Sequence, residues 1–96
     1  MSLIGSIAKS TAGRDRGRIF IIVGVLDDSH VLVADGRLRK IEKPKKKKLK
    51  HLGTDGKPDR EAVMLIKENR LTNKTAAKIT ASYHNSPTNV LQTKKE

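Results

Sequence analysis

Residues 18–27, RIFIIVGVLD, decide the fold class of this 96-residue chain. The segment is dense in β-branched residues, and Gly24 stands where a strand could carry a bulge or a sharp bend. The uninterrupted apolar run Ile19–Val23 predicts a central strand that is covered on both faces. A buried helix would give a similar run over five residues, but the flanking Gly17 and Gly24 favour a strand.

Short strand-like segments surround this run. Gly5–Ser10 predicts a strand upstream, and His30–Asp35 predicts one after the polar hairpin turn that ends at Ser29. The Asp35-Gly36 turn is followed by Leu38–Ile41, a predicted short strand, and Leu49 and Leu52 could anchor a last edge strand. Four short strands without helical periodicity predict a mainly β fold, a small and strongly curved barrel.

The second half of the chain carries helix signals. Asp59 is a candidate N-cap for a helix over residues 60–69, and residues 71–73 offer a cap for a second one. Ala76, Ile79 and Tyr83 fall on one face of that second helix. We expect Ser86-Pro87 to end it and the last ten residues to be disordered.

These patterns predict three parts. Residues 1–52 form the barrel together with a Lys-rich extended segment, and the turn-rich residues 53–58 are a linker. Residues 59–96 are a C-terminal extension with two short helices and a partly disordered tail.

The charge of the chain is concentrated in one segment. The formal net charge is +11, yet residues 1–36 sum to zero, with four cations and four anions. Residues 37–50 carry nine cations and only Glu42, which gives +8. Such a concentration favours a polyanionic partner, because each neutralised phosphate releases counterions.

Two cationic segments are candidate binding sites. In the loop 12–18, AGRDRGR, arginine guanidinium groups suit bidentate phosphate or guanine contacts, and glycines let the backbone approach a phosphate. Asp15 would hold an adjacent arginine by an ion pair, or would accept a hydrogen bond from a base or a ribose hydroxyl. In an extended chain, the lysine ammonium groups can spread along a phosphate backbone. The candidate residues are Arg14, Asp15, Arg16, Arg18, Arg37, Arg39, Lys40, Lys43, Lys45, Lys46, Lys47, Lys48, Lys50 and His51.

Alternative interpretations of both segments stay open. The loop could be a simple strand connection, and the lysine run a solvated tail, a nuclear signal or a patch for anionic lipid. We expect replacement of residues 45–48 by Gln to weaken RNA binding without unfolding the barrel, on the expectation that these side chains lie outside the core.

The composition disfavours several classes of protein. Phe20 and Tyr83 are the only aromatic residues besides histidines, so stacking platforms for single strands are not expected. The chain has no cysteine, and its three histidines are scattered, so we expect no disulfide, metal, cofactor or enzymatic activity. The N-terminus lacks the pattern of a signal peptide, and no apolar run could cross a bilayer, so we expect a cytoplasmic protein.

Residues 4–52 resemble the KOW-domain proteins. The resemblance lies in Gly5, the STAGRDRGR stretch of residues 10–18, the long apolar strand ending near Val25 and the ADG turn at residues 34–36. Within that family the segment is similar to a group of small bacterial proteins related to KOW-bearing ribosomal proteins of the large subunit in archaea and eukaryotes.

The resemblance implies an SH3-like β-barrel whose loops contact RNA, especially ribosomal RNA. By position, it assigns RNA contacts to the loop of residues 14–18 and to the segment after the ADG turn, and it assigns nothing to the tail from residue 59 onward. We therefore expect a ribosome-associated protein of translation that binds structured ribosomal RNA, with ribosomal proteins as further partners, no membrane contact and a monomeric free state. The alternatives are a protein-interaction module of the transcription or translation machinery, and a nonspecific binder of DNA or anionic lipid.

Overall fold

The structure is a computed structural model, and it describes residues 3–54 and 57–84. One antiparallel sheet has the strand order β4-β3-β2-β1-β5, and two helices follow it. The strands are β1 (Ile7–Ser10), β2 (Ile19–Val25), β3 (His30–Ala34), β4 (Lys45–Lys48) and β5 (Leu52–Gly53); the helices are α1 (Arg60–Lys67) and α2 (Asn73–His84). Neither helix has an apolar stretch long enough to cross a membrane.

The sheet has to curl because its two edge strands are neighbours in sequence. β4 and β5 lie at opposite edges, yet only the 3-10 turn Leu49–His51 joins them. In a flat sheet, strands about 4.8 Å apart would place these edges roughly 19 Å from each other. A 3-10 turn rises only about 2 Å per residue, so it cannot span that gap. The fold is therefore a mainly β, barrel-like sheet, as predicted.

β2 is buried on both of its faces, which confirms the prediction for the Ile19–Val23 run. On the inner face, Phe20 and Ile22 are fully buried with Val31 and Val33. On the outer face, Ile19 and Ile21 pack against both helices; the buried helical residues there are Ala62, Ala76 and Ile79. The register between β2 and β3 shifts between Ile22 and Gly24, so the expected bulge at Gly24 is present.

The inside of the barrel holds one large ring among small side chains. Ala8 pairs directly with Phe20, and Ser6 and Ser10 lie on the same face of β1 because side chains alternate along a strand. All four residues are at most 1% exposed. Small residues on β1 leave the space that the Phe20 ring occupies, so this ring is part of the core, as predicted.

The predicted strand at Leu38–Ile41 is wrong. The Asp35 carboxylate accepts hydrogen bonds from the backbone N–H groups of Arg37 and Arg39, and the N–H groups of Asp35 and Gly36 donate to the Arg39 carbonyl. The Ile41 N–H donates to the Asn73 side chain instead of to a strand. These turn contacts occupy the backbone groups, and the next strand is formed by Lys45–Lys48, which pairs with β3.

The helix starts lie where the sequence predicts them. Asp59 caps α1 by accepting from the Ala62 N–H at 2.9 Å, and the Thr72 hydroxyl accepts from the Thr75 N–H at 3.1 Å. The other carboxylate oxygen of Asp59 accepts from the Tyr83 hydroxyl at 2.6 Å, which ties the end of α2 to the start of α1. The predicted helix end at Ser86-Pro87 and the disordered tail lie outside the described residues.

A glycine allows the start of α2 to contact the sheet. Gly36 has a φ of +78°, and a Cβ there would collide with the backbone carbonyl oxygen of Asn73. Gly13 has nearly the same φ, +79°, but no atom lies within 4 Å of the place its Cβ would take. A comparison of alanine substitutions at these two positions therefore distinguishes the cost of a left-handed backbone from the cost of a steric clash.

Gly36→Ala should lower the free energy of unfolding by more than about 3 kcal/mol, since it adds a backbone collision to the cost of a left-handed residue. Gly13→Ala should cost only about 1 kcal/mol. Urea denaturation followed by circular dichroism measures both changes. Equal losses would contradict the close contact between Gly36 and α2.

Candidate nucleic-acid interface

A buried carboxylate joins the arginine loop to the lysine strand. Asp15 lies in the 3-10 turn Gly13–Asp15 after β1, and its side chain is 5% exposed. Its Oδ2 accepts a hydrogen bond from the Lys45 Nζ at 2.7 Å and lies 3.6 Å from the Lys47 Nζ. The sequence predicted a pair with an adjacent arginine, but both ion-pair partners of Asp15 come from β4.

Two of the four lysines in β4 belong to the barrel interior. Lys45 and Lys47 pair with Val33 and Val31, so they lie on the inner face of the sheet. The Lys47 side chain is only 8% exposed, and its Nζ donates to the Ser10 hydroxyl at 3.0 Å. The expectation that residues 45–48 all lie outside the core is therefore wrong for Lys47, and Lys45 is partly buried.

The other two lysines of β4 point to the opposite face. Lys46 and Lys48 are exposed, and Lys50 is exposed in the turn that follows. Exposed lysines on an edge strand also prevent sheets from pairing with each other, so this part of the run has a structural use of its own. The four lysines look equivalent in the sequence. Because side chains alternate along a strand, two of them have a structural role and the other two are exposed.

A second buried carboxylate holds the turn after β3. Asp35 is 5% exposed in its side chain, accepts the N–H groups of Arg37 and Arg39, and lies 3.9 Å from the Arg18 guanidinium. Arg18 belongs to the loop after β1, so this contact is a second link between the two cationic segments. Asp35 and its turn were predicted, whereas the link to Arg18 was not.

Asn73, the first residue of α2, fixes the far side of the same turn. Its Oδ1 accepts from the Ile41 N–H at 2.8 Å, and its Nδ2 donates to the Glu42 carboxylate at 2.6 Å. That hydrogen bond lowers the pKa of Glu42 below its ordinary value. The sequence predicted no site residue after position 58. Asn73 was visible as a helix start, but no local signal shows that its side chain reaches residues 41 and 42.

The candidate residues divide into three groups by exposure. Exposed cations are Arg14, Arg16, Arg18, Arg37, Lys40, Lys43, Lys46, Lys48 and Lys50; partly buried residues are Arg39, Lys45 and His51; buried residues are Asp15 and Lys47. The links from Asp15 to β4 and from Asp35 to Arg18 bring the loop and the segment 37–50 together. Two cationic segments from separate parts of the sequence are therefore joined in the fold at Asp15 and at Asp35.

Both aromatic rings are engaged within the fold. Phe20 is fully buried, and the Tyr83 hydroxyl is bonded to Asp59. Phe20 is therefore a core residue, as predicted, while the Tyr83 ring is partly buried. The described residues also contain no group of three or more His, Cys, Asp or Glu side chains that could hold a metal ion.

The charge of Asp15 is stabilised by its lysine partners. The hydrogen bond from Lys45 lowers the pKa of this carboxyl, against the opposing effect of burial, and the nearby charges of Lys45, Lys47 and Arg39 lower it further. Because the folded-state pKa lies below the unfolded one, the ionised carboxylate stabilises the fold above the unfolded pKa, and this stabilisation is lost as the pH falls through the folded pKa.

Asp15→Asn should destabilise the fold by about 3 kcal/mol at pH 7, since it leaves the buried Lys47 ammonium without its counter-charge. The difference from the wild type should stay constant above about pH 5 and shrink below about pH 4. Urea denaturation across this pH range is the measurement, with Asp28→Asn, at an exposed carboxylate, as the control. A difference that is the same at pH 7 and pH 3 would contradict the ion-paired state of Asp15.

No family model matches this chain. It is 42% identical over 77 residues to "Large ribosomal subunit protein eL14" of Desulfurococcus amylolyticus, and the match covers 72% of this chain and 80% of that protein. That relative is archaeal, so the comparison gives no support to the expected likeness to a bacterial group. At this identity and coverage, the chain belongs to the family of large ribosomal subunit protein eL14, whose members are ribosomal proteins and not enzymes.

Proposed function

We propose that this chain is an RNA-binding protein of the large ribosomal subunit that contacts structured ribosomal RNA through the phosphate backbone and the shape of the folded RNA. The observation that carries the proposal is that contacts of Asp15 and Asp35 join the loop 12–18 to the segment 37–50, and that both segments carry exposed cations. Membership of the eL14 family supports the ribosomal partner. A cytoplasmic location and contacts with neighbouring ribosomal proteins follow from the same proposal.

The domain assignment forms part of this proposal. Residues 1–52 would be an SH3-like barrel of the KOW type, followed by the linker 53–58 and the extension 59–96. The curled sheet and the position of the loop after β1 support it. The helices pack on the outer face of the sheet, so in this proposal they support the RNA-binding barrel.

Backbone recognition fits the chemistry of the exposed side chains. Arginine guanidinium groups bind phosphate oxygens in a bidentate manner, and lysine ammonium groups act as point charges. If about six phosphates are contacted, a plot of log affinity against log salt concentration would have a slope of roughly −5 by the rule for duplex DNA. Without aromatic platforms, selectivity would come from the shape of the RNA and from 2′-hydroxyl contacts.

A protein-docking role has one specific observation in its favour. Met64 on α1 is 48% exposed. An exposed apolar patch on this helix would indicate a protein partner. Ala62 on the same helix is fully buried, however, and Val63, Leu65 and Ile66 are each partly buried. We therefore place protein contacts second to RNA.

Arg14→Gln with Arg16→Gln should weaken binding to large-subunit ribosomal RNA roughly tenfold near physiological salt and make the salt slope shallower by about 1.5 to 2. Filter binding or fluorescence anisotropy over a salt series measures both quantities. The matched control is Arg60→Gln with Arg70→Gln, which removes two exposed arginines outside the proposed interface. If both double variants lose the same affinity, the loop has no specific role.

Lys46→Gln and Lys47→Gln should affect two different properties, RNA binding and stability. The first removes an exposed charge and should weaken RNA binding about threefold without changing the urea midpoint. The second breaks contacts with Asp15 and Ser10 and should lower the free energy of unfolding by about 2 kcal/mol. Anisotropy and urea denaturation of each variant test this division, and two variants that behave alike in both assays would refute it.

A further inference from the structure

An open cavity lies at the other end of β4, away from Asp15. Its volume is about 430 Å³, and it is formed between the β2–β3 hairpin and the turn that follows Lys48. The lining residues are Asp28, Ser29, His30, Lys48, Leu49 and Lys50. Small-molecule sites in proteins have volumes of roughly 300–1,000 Å³, so this cavity is large enough for a ligand of that class.

Hydrogen bonds hold the two walls of the cavity in place. The Leu49 N–H donates to the Ser29 carbonyl at 2.7 Å, and His30 pairs with Lys48 in the sheet. The hairpin side is fixed by Asp27, whose Oδ1 accepts from the Ser29 and His30 N–H groups at 2.8 Å and lies 3.0 Å from the His30 Nδ1. The cavity is therefore formed before any ligand binds, which reduces the entropy lost on binding.

The lining groups match the parts of one nucleotide. Lys48 and Lys50 supply two exposed ammonium groups for a phosphate, and Leu49 offers an apolar surface between them. Asp28 and Ser29 supply acceptors for the N–H groups of a base or the hydroxyls of a ribose. A phosphate group alone would occupy only a small part of the volume and would be repelled by the Asp28 carboxylate.

We propose that this cavity binds one unpaired nucleotide of the RNA, with Lys48 and Lys50 at its phosphate and Asp28 and Ser29 at its base or ribose. The inference rests on the proposed RNA-binding function and adds a selective contact to it. A nucleotide inside a regular duplex is stacked and paired, so only a nucleotide in a bulge or a loop can enter. The cavity would thus select folded RNA in which an unpaired nucleotide lies next to a helix that the cationic surface binds.

The test uses two labelled RNAs in fluorescence anisotropy: a hairpin with an uninterrupted duplex, and the same hairpin with one bulged nucleotide, made with each of the four bases. The whole chain should bind at least one bulged RNA about tenfold more tightly than the uninterrupted one. Lys48→Gln with Lys50→Gln should abolish this preference. Lys74→Gln with Lys78→Gln removes the same amount of charge from exposed positions on α2 and should leave the preference for the bulged RNA unchanged.

Asp28→Asn distinguishes a ligand contact from a general electrostatic effect. Removal of a surface anion alone would raise the affinity for both RNAs equally. If Asp28 accepts from the nucleotide, its replacement should raise the affinity for the uninterrupted duplex and reduce the preference for the bulged RNA.

Two results overturn the inference while the proposed function stands: equal binding of all the RNAs by the wild type, or a preference that survives both cavity variants. Failure of the wild type to bind any of these RNAs at low salt would contradict the proposed function itself. All substituted side chains are exposed, so the variants should fold, and circular dichroism verifies this.

Discussion

The carboxylate of Asp15 connects two parts of the chain that are 30 residues apart, the loop after β1 and the start of β4. Its two lysine partners lie on the inner face of an edge strand, a position where a charge is costly unless it is paired. With Ser10 they form a polar contact across one end of the barrel, beside an apolar core that contains a single large ring. The same contact ties the loop that carries Arg14 and Arg16 to the strand that carries Lys46 and Lys48, so the stability of the fold and the position of the loop depend on one group.

The helices complete this arrangement from the other side of the sheet. Ile19 and Ile21 would be exposed on the outer face of β2 if α1 and α2 did not cover them. α2 also fixes the turn after β3, through the close contact at Gly36 and the two hydrogen bonds of the Asn73 side chain. The segment that resembles no KOW motif therefore helps to hold the cations of the 37–43 segment in place.

The sequence predicted those features that depend on local chemistry. The buried strand at residues 19–23, the bulge at Gly24 and the cap at Asp59 each follow from a few adjacent residues. The alternation in β4 could not be predicted, because four identical lysines give no hydrophobic pattern and the distinction comes from Asp15. The strand expected at Leu38–Ile41 failed for a similar reason: its backbone groups are taken by the side chains of Asp35 and Asn73, and the second of these lies more than thirty residues away.

In the proposed function, the two cationic segments form one surface that binds ribosomal RNA of the large subunit. Ultraviolet crosslinking of the tagged chain in its native cells, with identification of both the RNA and the crosslinked peptides, tests it most directly. We expect a sharp peak on one region of large-subunit ribosomal RNA, with crosslinks in residues 12–18 and 37–50. Crosslinked RNA in proportion to cellular abundance, or crosslinks confined to the helices, would contradict the claim.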